Sequence, residues 1–279
     1  MKLSEAFDLY EKDFIRMSNQ SNRTLEIHQY VKKNITGIIG DIDLNSLTVG
    51  MVSDWKRELE RDRAQNTVRC YVIKLRDVLG YCGKRGIETL NVDLVPLPKR
   101  QATVPVFLTE QEVAQMVEAT SSIRTKFVIS LLYASGIRLS EFISLNRGQI
   151  TEKRFTVIGK GGKPRLCFID DRTERLMEQY LATRTDHCDA LVVSYENKAR
   201  MTATNVQLLV RNAASKAGLS KKVTPHTLRH SYATNFLRNN GNMRYLSYSM
   251  GHASLDTTAM YAHVVDCDLE SQYRQFHTI

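Results

Sequence analysis

Residues 224–263 read TPHTLRHSYATNFLRNNGNMRYLSYSMGHASLDTTAMYAH, and their order of capping and apolar residues predicts a series of helices. Thr224 is a suitable N-cap, and Pro225 suits the first helical position because its fixed φ matches the helix. A helix is therefore predicted over residues 226–239. Its polar side chains lie at the leading end, where the backbone carries partial positive charge that favours an anion.

The second half of this stretch predicts two further helices. One covers about residues 242–250 and ends at Gly251, which can adopt the left-handed conformation of a helix C-terminus and so present His252. Tyr261 is expected in the short helix that follows. The sequence thus places two reactive side chains soon after a left-handed turn.

The ionisable residues of this stretch are chemically suited to phosphate. His226 and Arg229 lie three residues apart on one helical face; an imidazole can transfer a proton near neutral pH, and a guanidinium matches two phosphate oxygens. A phenol is a poor nucleophile at pH 7, so Tyr261 needs a cation or a base beside it. His226 and His230 also have the spacing of a zinc site. No metal site is predicted, because the glutamate of His-Glu-x-x-His is absent and Arg229 would place a positive charge beside the metal.

A charged residue interrupts an apolar helical segment at residues 133–145, which read YASGIRLSEFISL. Gly136 predicts a break between two helices, and the second helix begins near Arg138. Burying an unpaired arginine is costly, so Arg138 is expected to face a partner or an anion. Glu141 is one candidate partner.

A β-hairpin is predicted at residues 155–169, which read FTVIGKGGKPRLCFI. Its glycine-rich turn could carry Lys160 into a groove, and an ordinary exposed hairpin is the alternative. A phosphate-binding P-loop is disfavoured, because Lys163 is followed by Pro164 rather than by Ser or Thr.

Four segments in this order resemble the tyrosine recombinase (phage integrase) family: GIRLSE at 136–141, GKGGKPR at 159–165, PHTLRHSYAT at 225–234 and GHASLDTTAMYAH at 251–263. The resemblance is close over the C-terminal two thirds of the chain and general in the N-terminal third. It departs at YLSYSM before Gly251 and at RLCFID after the hairpin, and both departures concern packing. The six catalytic positions of the family correspond here to Arg138, Lys160, His226, Arg229, His252 and Tyr261.

The resemblance implies transesterification at a DNA phosphodiester. Tyr261 would attack the scissile phosphate, form a 3′-phosphotyrosyl bond and release a 5′-hydroxyl that later attacks a partner strand. The two arginines would hold the non-bridging oxygens, and Lys160 would protonate the leaving 5′ oxygen. His226 would act as the general acid or base for the proton of the tyrosine, and His252 would hydrogen-bond the phosphate. No cofactor is expected, because the bond energy is kept in the phosphotyrosine.

The function implied is site-specific DNA recombination, in mobile-element integration and excision or in Xer-like dimer resolution. Two alternatives stay open. A type IB topoisomerase-like relaxing enzyme would use the same tyrosine chemistry without pairing sites. A catalytically silent DNA-binding regulator would keep the fold and the charge, although a complete catalytic set argues against it.

The composition points to a polyanionic partner, since the net charge is +9 and the pI is near 9.3, and the resemblance implies that this partner is double-stranded DNA. Charge alone does not exclude a basic enzyme with another substrate. Five cysteines without Cys-x-x-Cys spacing are typical of reduced thiols in a cytoplasmic protein. Neither a signal peptide nor a membrane-spanning run is apparent.

The expected fold is mainly α, with two domains joined by a linker. Residues 1–92 predict an N-terminal four-helix domain, which in the family is the core-binding domain that clamps DNA. Residues 93–106 contain three of the five prolines and predict the linker. Residues 107–279, opened by a capping box at Thr109 and Glu112, predict an α+β domain, helical with a small antiparallel β-sheet, and the resemblance implies that it is a catalytic domain of the DNA breaking-rejoining type.

The predicted catalytic domain has further elements between its motifs. The hairpin arms lie within residues 153–169, and helices are predicted near 171–182 and 202–217. A short strand is predicted at 190–194.

Basic and polar residues outside the catalytic set are candidate DNA contacts, with a solvated surface as the plain alternative. They are Lys56, Arg57, Arg61, Arg63, Arg69, Lys74, Arg76, Thr202, Asn205 and Arg211. By resemblance, the tail after Tyr261 docks on the next protomer. A homo-oligomer is therefore expected, a tetramer on two DNA sites, with a possible accessory protein.

Overall fold

The computed structural model describes residues 1–18, 20, 22–101, 105–159 and 162–251. The chain divides into two compact units, Met1–Thr103 and Val104–Ile279. Both described parts are mainly helical, which confirms the predicted fold class. No helix in the described ranges combines the length and the apolar character needed to cross a membrane.

Within the residues that the structure describes, the first unit is built from four α-helices around one apolar core, as predicted for this region. The helices are α1 (Leu3–Tyr10), α2 (Asn22–Ile39), α3 (Val49–Glu60) and α4 (Gln65–Lys84). A π-helical turn, Glu11–Arg16, follows α1. The side chains of Phe7, Trp55 and Leu75 are fully buried, so the helices are held by large apolar groups from several of them.

The second unit combines helices with a two-stranded sheet. Its described helices are α5 (Glu110–Glu118), α6 (Ile123–Ser135), α7 (Leu139–Ser144), α8 (Asp171–Ala182), α9 (Ala203–Lys216), α10 (Pro225–Arg238) and α11 (Met243–Met250). Strands β1 (Arg154–Ile158) and β2 (Pro164–Phe168) form the predicted antiparallel hairpin. The capping box at Thr109 and Glu112 is also confirmed.

The register of the hairpin decides which side chains face the core. Phe155 pairs with Cys167, and Val157 pairs with Arg165. Side chains alternate along each strand, and these four are buried. An arginine therefore occupies an inward-facing position of the sheet.

The strand predicted at residues 190–194 is wrong. The segment makes only isolated bridges, from Ala190 to Asn146 and from Val193 to Arg200. Its apolar side chains are buried in the core of the unit. Burial therefore explains the apolar run, and neither neighbour pairs with it over a continuous stretch.

Two helix ends that position the site have the conformation predicted for them. Gly136 ends α6 at φ +60°, and Gly251 ends α11 at φ +59°. A Cβ at Gly136 would lie 2.3 Å from the ring of Tyr232, so this position requires glycine for space as well as for backbone angle. The buried helix α6 thus ends immediately before the segment that carries Arg138.

Candidate active site

Arg138 lies at the start of α7 and pairs with Glu141, the predicted partner. Its Nη1 donates to Glu141 Oε1 at 2.9 Å, and its backbone N–H donates to Oε2 at 2.7 Å. The carboxylate therefore caps the helix and orients the arginine at the same time. The side chain of Arg138 stays one-third exposed, at 33%, so part of it faces solvent.

A second arginine, Arg165 of β2, holds the other side of the same carboxylate. Its Nη1 donates to Glu141 Oε1 at 2.8 Å and its Nη2 to Oε2 at 2.5 Å. Its Nε donates to the carbonyl of Ser249 at 2.7 Å. The sequence prediction gave this residue no role. Its inward position in the alternating strand was the signal that could have identified it.

Glu141 remains a carboxylate in this surrounding. Its burial acts to raise the pKa, but the hydrogen bonds from Arg165 and from the backbone of Arg138 hold that pKa below the ordinary value. A buried anion is thus shared by two guanidinium groups. One of them is buried and the other reaches the surface.

Arg229 of α10 is buried and reaches two segments far away in sequence. It donates to the carbonyl of Gly136 and, through Nη2 at 2.5 Å, to that of Met250. Arg138 Nη2 donates to the next carbonyl, that of Gly251, at 3.0 Å. The two predicted phosphate-binding arginines therefore meet at the C-terminal end of α11, where carbonyl groups without helical partners are good acceptors.

His226 lies in the first turn of α10, and its side chain is exposed. Partial desolvation and then the charges of Arg229 and Arg138 lower its pKa. Its ring packs edge-on against that of His230, with centroids 4.2 Å apart. The charges of Arg229 and Arg138 thus disfavour the protonated form of the His226 ring.

Three predicted catalytic residues, Lys160, His252 and Tyr261, lie outside the described residues. Their neighbours in sequence are described. A Cβ at Gly159 would lie 3.2 Å from Arg165 Nη1 and 3.8 Å from Arg138 Nη1, and a Cβ at Gly251 would lie 3.1 Å from Arg165 Cδ. The structure therefore brings together Arg138, Arg229 and His226, and places Gly159 and Gly251 beside the same cluster.

The candidate DNA contacts of α3 and the following turn are at the surface and pair with nearby acids. The pairs are Lys56–Glu60 at 3.3 Å, Arg57–Asp54 at 3.2 Å, Arg61–Glu58 at 2.5 Å and Arg63–Asp62 at 3.5 Å. Arg63 also donates to the hydroxyl of Tyr30 at 3.1 Å. Such exposed pairs contribute little to stability.

The candidates on α4 have partners within the first unit. Arg69 Nη1 donates to the carbonyl of Pro98 at 2.5 Å. Arg76 donates to the carbonyl of Val92 at 2.6 Å and also to that of Val95. These two arginines hold the segment that follows the helices, while Lys74 pairs with Asp77 at 3.1 Å.

The candidates of the second unit lie on the surface at α9. Thr202 is the N-cap of the helix, and its Oγ1 accepts from the backbone N–H of Asn205 at 3.2 Å. Asn205 and Arg211 are both exposed. The leading end of α9 therefore offers polar side chains to solvent.

Comparison with known proteins connects this geometry to a family. The model of the phage integrase family matches residues 106–267. The tyrosine recombinase XerD of Oceanobacillus iheyensis is 33% identical over 232 residues, which cover 78% of this chain and 78% of that protein. The family match includes the segment that carries every predicted catalytic residue.

Two solved structures share the fold over nearly the whole chain. The XerH site-specific recombinase bound to palindromic difH substrate aligns with a TM-score of 0.78 at 19% identity, covering 98% of this chain and 85% of that one. A lambda integrase dimer bound to a COC′ core site aligns with a TM-score of 0.80 at 17% identity, covering 94% and 95%. At these identities the likeness concerns the fold.

Proposed function

This chain belongs to the phage integrase family and is a Xer-like tyrosine recombinase, an enzyme of site-specific recombination that cleaves through a tyrosine; we propose that Tyr261 is that tyrosine and that double-stranded DNA is its substrate. The observation that carries the proposal is the meeting of Arg138 and Arg229 at the end of α11, beside His226. Two cations can stabilise the negative charge that builds on a phosphodiester in the transition state, and an imidazole beside them can take up a proton.

Arg138 and Arg229 are proposed to bind the non-bridging oxygens. Two of the five N–H donors of Arg138 are used by Glu141 Oε1 and Gly251, so others can reach a phosphate from its exposed side. Arg229 is fixed by the carbonyls of Gly136 and Met250, which reduces the reorganisation needed when the phosphate binds.

The remaining steps are assigned to residues by their position in the motifs. The Tyr261 oxygen attacks phosphorus and its proton passes to His226, whose lowered pKa favours the neutral form that can accept it. The bond from phosphorus to the 5′ oxygen breaks, and Lys160 supplies the proton that this oxygen takes up. His252 donates a hydrogen bond to the phosphate, and no ATP is required because the phosphotyrosyl bond replaces the phosphodiester.

The first unit is proposed to bind the duplex through phosphate contacts from α3 and the turn after it, where DNA can displace the surface pairs of Lys56, Arg57, Arg61 and Arg63. Arg69 and Arg76 are proposed to act there while they also hold the segment that follows α4.

The other candidate contacts and the assembly complete the proposal. The surface at Thr202, Asn205 and Arg211 is proposed as a second contact region. A tetramer on two DNA sites in the cytoplasm, with a possible accessory protein, is the proposed assembly; the lambda integrase dimer on a core site supports oligomeric binding.

A covalent-trapping experiment tests this function. A duplex is selected from a randomised pool by binding to the protein, and versions nicked at each position are incubated with it without metal or ATP. A covalent protein–DNA band is expected, with the adduct on Tyr261 by peptide mass spectrometry. Tyr261→Phe should bind the duplex as the parent does and give no band, whereas Tyr245→Phe, an exposed tyrosine of α11, should keep it.

Two results would contradict the proposal. A band that persists in Tyr261→Phe would remove this residue as the nucleophile. Tight binding of the selected duplex with no band from any nicked version would favour the regulator with a silent catalytic domain.

A further inference from the structure

We propose that Arg165 is a positioning residue for the recombination reaction. It fixes the carboxylate of Glu141 and the end of α11, and through them it orients Arg138. The inference rests on the proposed function, because it concerns how the phosphate-binding arginine is held. All three nitrogens of Arg165 already donate to Glu141 or to the carbonyl of Ser249, so its part in the reaction is to hold these groups.

The hydrogen bonds of Arg165 define a rigid connection between three segments. Its two terminal nitrogens donate side by side to the two oxygens of Glu141, and its Nε donates to the carbonyl of Ser249. A planar guanidinium fixes both distance and angle in such a bidentate pair. A lysine has one charged nitrogen and cannot reproduce this arrangement.

The surroundings of Arg165 leave little freedom for it to move. Two glycines lie against the side chain of Arg165. One is Gly159, whose N–H donates to the carbonyl of Lys163 at 2.9 Å and closes the hairpin, and the other is Gly251 at the end of α11. A Cβ at either glycine would lie 3.1–3.2 Å from an atom of Arg165. In sequence these glycines directly precede Lys160 and His252. A displacement of Arg165 therefore shifts the attachment points of two catalytic segments as well as the partner of Arg138.

Stability of the fold alone does not account for this arrangement. Replacing a buried ion pair by apolar residues of similar volume is often neutral or stabilising, because the desolvation of the charges opposes their attraction. An apolar side chain at this position would pack against the core. It could not hold the carboxylate that orients Arg138, which points to a role in the geometry of the site.

The test is the single-turnover rate of covalent attachment to a nicked duplex, measured at saturating protein. Arg165→Lys keeps the charge and should lower this rate by about 100-fold, as expected for a small misplacement of a catalytic group. Duplex affinity should change less than about threefold, since phosphate contacts elsewhere dominate it. The control is Arg154→Lys, an exposed arginine of the same hairpin paired with Glu152, which should cleave like the parent.

A double-mutant cycle separates positioning from general damage to the fold. If Arg165 acts through Arg138, then Arg138→Ala should cost much less in the Arg165→Lys background than in the parent. Glu141→Asp withdraws the carboxylate from both arginines without removing its charge; it should lower the rate similarly and serves in place of Arg165→Lys if that variant does not fold.

The outcomes are distinguishable. Parental cleavage by Arg165→Lys or by Glu141→Asp, or additive effects in the cycle, would overturn the positioning role alone. Absence of covalent attachment by the parent protein on every nicked duplex would overturn the proposed function and this inference with it.

Discussion

The arginines of the two units are held in different ways. In the first unit, Arg57 of α3 and Arg61, which directly follows that helix, are exposed and pair with acids three residues earlier. In the second unit, Arg165 is buried against Glu141, and Arg229 is buried against the carbonyls of Gly136 and Met250, groups far away in sequence. Local surface pairs are worth little and are easily exchanged, whereas a buried arginine is fixed by the tertiary fold.

This difference suggests a division of work between the units. Exchangeable surface cations can bind the phosphates of many sequences and set affinity, while fixed cations can meet one phosphate in one geometry. Substitutions in each unit test that division.

The largest effect is expected from Arg229→Ala. The variant removes a fixed cation from the proposed phosphate site, and removal of one such preorganised donor lowers a catalytic rate by roughly 1,000-fold. The rate of covalent attachment at saturating duplex is the measurement. Arg238→Ala, at the exposed end of the same helix, is the matched control and should cleave normally.

A folded Arg229→Ala protein that cleaves at the parental rate would remove this residue from the site. Its fold must be checked by circular dichroism and urea unfolding, because the substitution also leaves the carbonyls of Gly136 and Met250 without this donor.

The second prediction compares a glycine from each unit. Gly136 and Gly86 have φ angles of +60° and +73°, so alanine is strained at both, at a cost of about 1 kcal/mol. A Cβ at Gly136 would also meet the ring of Tyr232 at 2.3 Å, whereas nothing lies within 4 Å of one at Gly86. Gly136→Ala should therefore lower the free energy of unfolding by about 3 kcal/mol or more, since overpacking adds to backbone strain.

The measurement is the urea midpoint of each variant at an unchanged m-value. Gly86→Ala is the control for the backbone term. Equal destabilisation of the two variants would mean that Tyr232 moves aside freely, and that the packing behind Arg138 is less rigid than we infer.

Much of this architecture could be predicted from local sequence, and parts of the site could not. Thr224 and Pro225 mark the start of α10, and the Arg138–Glu141 pair follows from helical spacing and from the cost of an unpaired buried charge. The pairing of Arg165 with that same carboxylate depends on the register of the hairpin and on how it packs. A linear pattern does not contain either.

The strand error has a similar origin. An apolar run such as residues 190–194 is compatible with a strand, but a strand also requires a neighbour that pairs with it continuously. The carbonyl partners of Arg229 likewise come from Gly136 and Met250, which the tertiary fold alone brings together.

The third prediction concerns the surface cations of α3. Replacing Lys56, Arg57 and Arg61 together by glutamine should weaken duplex binding. The slope of log affinity against log salt concentration should become shallower by about 0.9 for each phosphate that these side chains neutralise in the parent. Cleavage at saturating protein should not change. The measurement is a titration by fluorescence anisotropy at several salt concentrations.

Arg23→Gln is the control, because Arg23 is about as exposed as Arg57 and Arg61 and pairs with Glu26 three residues away, but lies on α2. An unchanged salt slope in the triple variant would remove α3 from the proposed interface. A slower saturated cleavage rate would break the proposed division between the units.

The smallest effect is expected from pH. Partial burial, Arg229 and Arg138 lower the pKa of His226 in the free protein. A bound phosphate adds negative charge beside the same ring and should raise that pKa, so binding takes up a proton. Duplex affinity should therefore increase as the pH falls through the pKa that His226 has in the complex. It should level off below the pKa of the free protein, and the total increase in affinity should be less than about tenfold.

His226→Gln should abolish this dependence, since the two arginines do not titrate in this range. A dependence that persists in this variant would point to another imidazole at the phosphate, such as that of His252. His187→Gln, an exposed histidine outside the site, should keep the parental profile. An increase of affinity with rising pH would be opposite to the dependence expected for a phosphate beside His226. It would mean that the bound DNA backbone lies away from the arginines that hold the end of α11.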